Sequence, residues 1–502
     1  MKNYLYRYLM IASLSCMTMG CSDDLLDEFP KDKLSSEKFW TNPEDAENSL
    51  VVAYERLNLG FWSHTEVAFV VENFRSDFVQ AGSDVIANYP DQEAFDMYSV
   101  TDNNGRLEDY WNRQYQGISA ANLVIHHVGK MTEQQISTDQ KTNIVGQAKF
   151  LRALYHMRLL MNWEKIVVFD FLPESADELL QPLSEREAVW AAIEKDFTEA
   201  AADLPATWDA NNKGRATKGA ALSFLGKAYL HQQKWAQAEQ TLKAVMDLGV
   251  YGLAPDFASL FDGSNELSNE SIFEIAFTDK QVAGSAVEYA GIYNIAATEM
   301  GGWEAMLPTQ SLLNEMKKEG KISTKGKYDA RLYGTLFFDE PDVSIYGKTY
   351  GDVFGEGSTK IAWKKYLFRS IAPWDAPRKY RSNINNVLMR YADVLLMYAE
   401  ALNEQGKPGE AKVYVDQVRA RADMPATTAT SQVQLRAQIM HERAVEFALE
   451  GQRFYDLRRW GDEAMTAAIR SSASRGYQNF NAAEDKFLPI PSSEKANNPK
   501  IQ

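Results

Sequence analysis

Cysteine is nearly absent from this 502-residue chain, and both copies, Cys16 and Cys21, fall within its first 21 residues. No disulfide can therefore staple the body. Histidine is scarce too, with six in all, and no spacing suits a metal. His126 and His127 are neighbours, so on a helix they point about 100° apart. His441-Glu442 lacks the second histidine that a zinc-protease helix carries four residues on, where Val445 stands. No structural transition-metal site and no cofactor are expected, while calcium on loop carboxylates remains an open alternative. Nucleotide chemistry fails for want of a glycine: Tyr346-Gly347-Lys348-Thr349 matches the end of a phosphate loop, but Asp342 occupies the place of its first glycine. Beyond the first twenty residues no apolar run approaches the roughly 20 residues of a bilayer span. Basic clusters are missing as well, and 53 Lys+Arg against 69 Asp+Glu leave a net charge of −16. That balance repels phosphate backbones and argues against a nucleic-acid partner.

What the chain does have is 45% hydrophobic residues, enough for a large core, and 12% aromatic residues, 11 Trp among them. Residues 1–20 read as a secretory signal: Lys2 and Arg7, then the apolar stretch Tyr8 to Leu14, then small or unbranched residues up to Gly20. The Gly20-Cys21 junction resembles a bacterial lipoprotein signal, which implies that Cys21 becomes the acylated first residue of a tether spanning 21–40. The acidic start Ser22-Asp23-Asp24 resembles the export signal of surface lipoproteins in the Bacteroidetes.

Helical periodicity dominates the body. Apolar residues recur at helical spacing over Thr41–Asn58, Leu107–Val128 and Ile144–Trp163. Between Ala220 and Met246, small and large residues alternate as in a tetratricopeptide unit, whose small positions let two antiparallel helices approach. A second copy starts at Tyr391, with Leu230 matching Leu402, Lys234 matching Lys407 and Ala238 matching Ala411 across one gap at Gly406. Further helices are expected at Leu388–Gln405, Gly409–Arg421, Gln432–Leu449 and Phe454–Trp460. Two intervals, about 59–106 and 277–381, lack a sustained period and read as loop insertions with small strands, as does the β-like run Ile272–Phe277. The expected fold is mainly α: a tetratricopeptide-like hairpin scaffold with long loop insertions and minor β elements, in one domain over 41–502.

Charges alternate in sign from Glu442 to Arg459, and their three- and four-residue spacings predict a structural lattice of ion pairs along helix faces. A glycosidase would need two carboxylates about 5–10 Å apart across a cleft. With 69 acidic residues nothing in the sequence singles out such a pair, and no catalytic residue is assigned.

Several blocks in fixed order carry a resemblance. Arg390-Tyr391-Ala392-Asp393-Val394-Leu395-Leu396-Met397-Tyr398-Ala399-Glu400-Ala401 leads to Glu442-Arg443-Ala444-Val445-Glu446-Phe447 and Gly451-Gln452-Arg453-Phe454-Tyr455-Asp456-Leu457-Arg458-Arg459-Trp460, then to Leu488-Pro489-Ile490-Pro491. Upstream, Ala148-Lys149-Phe150-Leu151-Arg152-Ala153 and Thr217-Lys218-Gly219-Ala220 match too. The chain resembles the SusD/RagB-family outer-membrane lipoproteins of the Bacteroidetes. The resemblance implies a non-enzymatic, lipid-anchored protein on the extracellular face of the outer membrane. Such a protein captures oligosaccharides and delivers them to a SusC-like TonB-dependent transporter. A peptide-binding lid of the RagB type and a scaffold without a ligand are the alternatives.

Sugars present flat C–H faces and hydroxyl rims, so a site for them takes aromatic platforms edged by polar side chains. Each stacked ring buries about 40 Å² of apolar surface, worth about 1 kcal/mol. In the family the ligand surface comes from the two insertions. The candidates there are Trp62, Tyr89 and Tyr98, with Asn73, Arg75 and Asp77 nearby, and Tyr289, Tyr293, Trp303 and Trp374. Trp111, Trp190, Trp235 and Trp460 lie at helical spacing and are expected in the core.

Overall fold

Local signals set where the helices start. Asn42 caps α1 (Pro43–Glu55) by accepting from the backbone N–H groups of Glu44 and Asp45, with Pro43 in the first turn, where a missing N–H leaves no bond unmade. The computed structural model describes residues 39–57, 64–277, 294–375 and 382–501; the signal segment and Cys21 lie outside them. Next come α2 (His64–Asn73), β1 (Val79–Ala81), α3 (Ser83–Asn88) and α4 (Pro90–Asp96). Two long helices follow, α5 (Gly105–Lys130) capped by Asn104 and α6 (Thr138–Asn162) capped by Ser137. The first insertion is thus largely helical rather than looped. Its apolar run Val67-Ala68-Phe69-Val70-Val71 is buried on every side, so it carries no amphipathic period to read.

After α7 (Arg186–Asp203), the expected hairpin forms from α8 (Lys218–His231) and α9 (Trp235–Asp247). A Cβ on Gly226 would lie 2.6 Å from Leu242 Cδ2, which is why a small residue is needed at this crossing. Its second copy is α12 (Tyr391–Glu404) with α13 (Pro408–Arg421), reached through β2 (Ser271–Ile275), β3 (Met306–Pro308), α10 (Gln310–Lys317), α11 (Ala330–Thr335), β4 (Leu336–Phe337), β5 (Ala362–Trp363) and β6 (Asn386–Arg390). The two hairpin turns match in detail and without the expected gap at Gly406: Gly406 stands where Gln233 does, so Leu402 answers Tyr229 rather than Leu230. The Lys234 amide donates to the Tyr229 carbonyl at 2.9 Å and the Lys407 amide to the Leu402 carbonyl at 3.1 Å, each past a left-handed residue, Gln233 and Gly406. α9 packs on α12, joined by Lys407 to Glu239 at 2.8 Å. α14 (Gln432–Glu446), α15 (Arg453–Trp460) and α16 (Asp462–Ser471) complete a mostly helical protein. Its strands form three two-stranded antiparallel sheets among the described residues.

Leu388 to Arg390 is strand rather than the start of a helix: β6 pairs with β2, and extended Arg390 precedes the first helical residue, Tyr391. One continuous hydrophobic cluster runs from Trp40 to Leu488, with Trp111 and Trp190 buried in it and Trp235 and Trp460 half-buried against it.

The charged block pairs mostly between elements, not along one helix face. Fully buried Arg331 on α11 reaches Asp329 and Glu442 at 2.6 Å each and Glu446 at 3.0 Å. Arg390 joins Glu270 at 2.9 Å and Glu450 at 2.8 Å, and also meets Glu446. Arg443 bridges Asp393 at 2.7 Å and Asp456 at 2.8 Å. With these buried charges matched, and with Arg419 and Arg421 of α13 meeting Glu442 and Glu446, the lattice fixes α11, α12, α13 and α14 in register.

Candidate functional site

The two insertions meet through β1 and β3, with Ala81 opposite Met306 and Val79 opposite Pro308. Gly82 prolongs the contact by donating to the Ala305 carbonyl at 2.9 Å. A Cβ at position 82 would stand 1.6 Å from the Glu304 carbonyl oxygen, so this approach is open to glycine alone. Thr309 adds its amide to the Phe78 carbonyl at 3.0 Å and its hydroxyl to the Asp77 carbonyl at 2.7 Å.

Just before β3 the chain folds back on itself: the Gly302 amide donates to Ala297 at 3.0 Å and the Glu304 amide to Ala296 at 3.1 Å, with Glu304 left-handed at φ 52°. Trp303 sits half-buried on this fold. Gly301 borders Trp374, whose Cα would lie 3.6 Å from a Cβ on that glycine. Trp374 is itself half-buried on the short turn Pro373–Asp375. Tyr346 meets it edge-on, with ring centroids 5.7 Å apart and planes at 78°, and the Lys348 ammonium stands 4.5 Å above its ring. Tyr346 and Gly347 are both left-handed, φ 51° and 85°, and close the bridge between Ile345 and Lys348. Positive φ at both central residues is the signature of a type I′ hairpin turn, the geometry that aims Tyr346 and Lys348 at Trp374. The Tyr346 hydroxyl donates to the Phe368 carbonyl at 2.7 Å, and Tyr346 with Gly347 forms part of the wall of a cavity of about 620 Å³.

Trp303 and Trp374 are thus brought into one neighbourhood by segments more than sixty residues apart. Trp62, Tyr289 and Tyr293 lie outside the described residues. Tyr89, half-buried, joins α3 to α4 and packs against the core. Tyr98 turns inward: its hydroxyl donates to the Arg75 carbonyl at 3.0 Å and its ring meets Phe480 at 5.0 Å. Asn73 and Asp77 are correspondingly removed from any ligand surface. Asp77 is buried under a bidentate pair with Arg453, both bonds at 2.8 Å. The Asn73 side chain donates to the Phe69 carbonyl at 3.0 Å and accepts from the Gly451 amide at 3.2 Å. Arg75 is buried with its guanidinium over Phe454 at 4.2 Å. What commits these polar groups is the chain near residue 450, which local sequence does not reveal.

Sequence reasoning passed over Tyr346 and Lys348. The signal was partial: Gly347 suits the second position of an I′ turn, but Tyr346 stands at the first, where Asn, Asp or Gly is usual. Glu319, His441 and Glu442 bring possible ligand atoms within 4.8 Å of one another. Arg419, however, holds Glu319 at 2.8 Å and Glu442 at 2.5 Å, and Arg331 holds Glu442 at 2.6 Å, so guanidinium groups stand where a cation would.

Two family models match the chain in succession: "Starch-binding associating with outer membrane" over residues 25–230 and "SusD family" over 269–502. The chain belongs to the SusD-like family. SusD-like protein P2 of Formosa agariphila is 26% identical over 100% of this chain and 99% of its own length. A SusD superfamily protein from Bacteroides vulgatus superposes with a TM-score of 0.82 at 26% identity, covering 92% of this chain and 99% of that one. A laminarin-binding SusD-like protein shares the fold at a TM-score of 0.73 and 24% identity, over 92% and 99% of the two chains. No helix among the described residues is long and apolar enough to cross a membrane.

Proposed function

We propose that this SusD-like protein is a non-enzymatic oligosaccharide-binding lipoprotein, anchored through Cys21 to the extracellular face of the outer membrane. It captures glycan on the surface around Trp303 and Trp374 and passes it to a SusC-like TonB-dependent transporter. The observation that carries the reading is the gathering of half-buried aromatic rings from separate stretches of the second insertion, Tyr346 against Trp374 with the Trp303 turn beside them, in a family whose model is described as starch-binding and whose solved members include a laminarin binder. Two stacked platforms supply about 2 kcal/mol. That is modest, and it suits a tethered protein, because a tether beside the transporter keeps the local glycan concentration high. Lys348 over Trp374 adds only about 0.5–1 kcal/mol at an exposed site, little enough for a sugar face to displace.

The test is calorimetry of the full chain against plant, fungal and host polysaccharides, with Trp303→Ala and Trp374→Ala in parallel. Binding to one polysaccharide class, weakened about fivefold or more by either substitution, is the expected outcome. Silence across the polysaccharides with heat released by peptide mixtures would replace the glycan reading with the peptide one.

A further inference from the structure

The cavity behind Tyr346 has a volume of about 620 Å³, within the roughly 300–1,000 Å³ of small-molecule sites. Its aromatic walls include Tyr333, Phe337, Tyr346 and Phe368. In a chain of net charge −16, this cavity is lined by Lys325, Lys364, Lys365, Arg369 and Arg421 against Asp256, Asp262 and Asp423. Three of these cations are matched: Arg369 holds Asp256 at 2.5 Å and Asp262 at 2.6 Å, Lys365 holds Glu450 at 2.6 Å, and Arg421 holds Glu270 at 3.1 Å.

Lys364 is different. Its ammonium donates to the Tyr333 carbonyl at 2.8 Å and lies 5.7 Å from the Phe337 ring centroid, with no carboxylate at salt-bridge distance among the described residues. Burial, with the Arg369 charge, lowers its pKa against the opposing pull of Asp256 and Asp262, both of which Arg369 already holds. Lys325 on the same wall and Lys348 over Trp374 likewise have no carboxylate partner among the described residues. Lys325 and Lys364 thus line the same cavity as Tyr346, and Lys348 stands over Trp374, the ring that Tyr346 meets edge-on.

We infer that the cavity takes an acidic sugar residue of the bound oligosaccharide, its carboxylate or sulfate received by Lys364 while Tyr346 carries the ligand over from Trp374. The inference rests on the oligosaccharide reading and narrows it to anionic glycans. A neutral sugar leaves Lys364 with a carbonyl alone; an anionic substituent gives it a charge-assisted hydrogen bond in a partly desolvated setting.

The test uses the full chain and three galactose-type probes in calorimetry: oligogalacturonate, a sulfated galactan oligosaccharide and a neutral galactan oligosaccharide. One of the acidic probes is expected to bind about tenfold more tightly than the neutral one, the worth of one charge-assisted hydrogen bond. Which acidic probe it is distinguishes carboxylate from sulfate. Lys364→Met erases the preference and Lys364→Arg retains it. On the unmutated chain, galacturonate or inorganic sulfate, but not galactose, slows acetylation of Lys364 as read by mass spectrometry. A neutral probe bound as tightly as the acidic ones overturns the inference, as does an acidic preference undiminished in Lys364→Met. In both cases the oligosaccharide reading stands if Trp374→Ala still weakens binding. Silence of every saccharide in this and the wider panel removes both.

Discussion

Gly82 has the carbonyl of Glu304 where a side chain would begin, whereas Gly409, in the first turn of α13, has nothing within 4 Å of a built Cβ. Gly82→Ala must therefore push the β1–β3 junction apart, at a cost of about 1–3 kcal/mol, while Gly409→Ala stays within about 1 kcal/mol of the parent and on the stabilising side. Urea unfolding of the two variants checks this, and equal stabilities would show that the two insertions are not held together there. Only some of the single residues were legible beforehand. Trp374 and Trp303 stood out as large aromatics in irregular sequence. Asp77 looked equally available until its partner proved to be Arg453, 376 residues downstream; no local pattern reports a contact of that separation.

Between α10 and α14 a small set of charges governs acid stability. His441 Nδ1 lies 2.8 Å from Glu315 and its Nε2 3.8 Å from Glu319. Burial alone would raise both carboxyls. The hydrogen bonds and charges of His441 and Lys318 outweigh it for Glu315, as those of Arg419, Gln438 and His441 do for Glu319, holding each at about 2 against an ordinary 4.5. A depressed folded-state pKa stabilises the protein above the unfolded value and is lost as pH falls toward the folded one. Stability is thus expected to decline from about pH 4.5 down to about pH 2, and Glu315→Gln with Glu319→Gln flattens that limb. Thermal melts across this range read it directly, and a limb unchanged in the double variant would contradict it. The helices and the repeated hairpin were plain in the sequence because one buried face and one wet face leave a 3.6-residue period. β6 and α2 were not, because both are buried on more than one side and such a run has no period to show; α3 and α4 are only six and seven residues long, too short for one.

The C-terminal segment closes the whole molecule back onto its first half. The Trp163 indole donates to the Pro489 carbonyl at 2.8 Å, the Leu488 amide to the Asn162 carbonyl at 2.9 Å and the Ser492 amide to the Asp102 carbonyl at 2.7 Å. Trp163→Phe keeps an aromatic ring but trims its bulk and leaves the Pro489 carbonyl without its donor, an expected loss of about 1–3 kcal/mol. Denaturant unfolding followed by tryptophan fluorescence measures this, and an unchanged midpoint would mean the tail does not clamp the body. The sequence by itself determined the helical class, the paired hairpins and the family, because each is written in local spacing or in ordered blocks. Only the tertiary structure decided which charges meet across elements, which polar residues are sealed inside, and that Tyr346 meets Trp374 beside a cavity lined by lysines. Those outcomes depend on contacts between residues tens to hundreds of positions apart, and such contacts exist only once the core has packed.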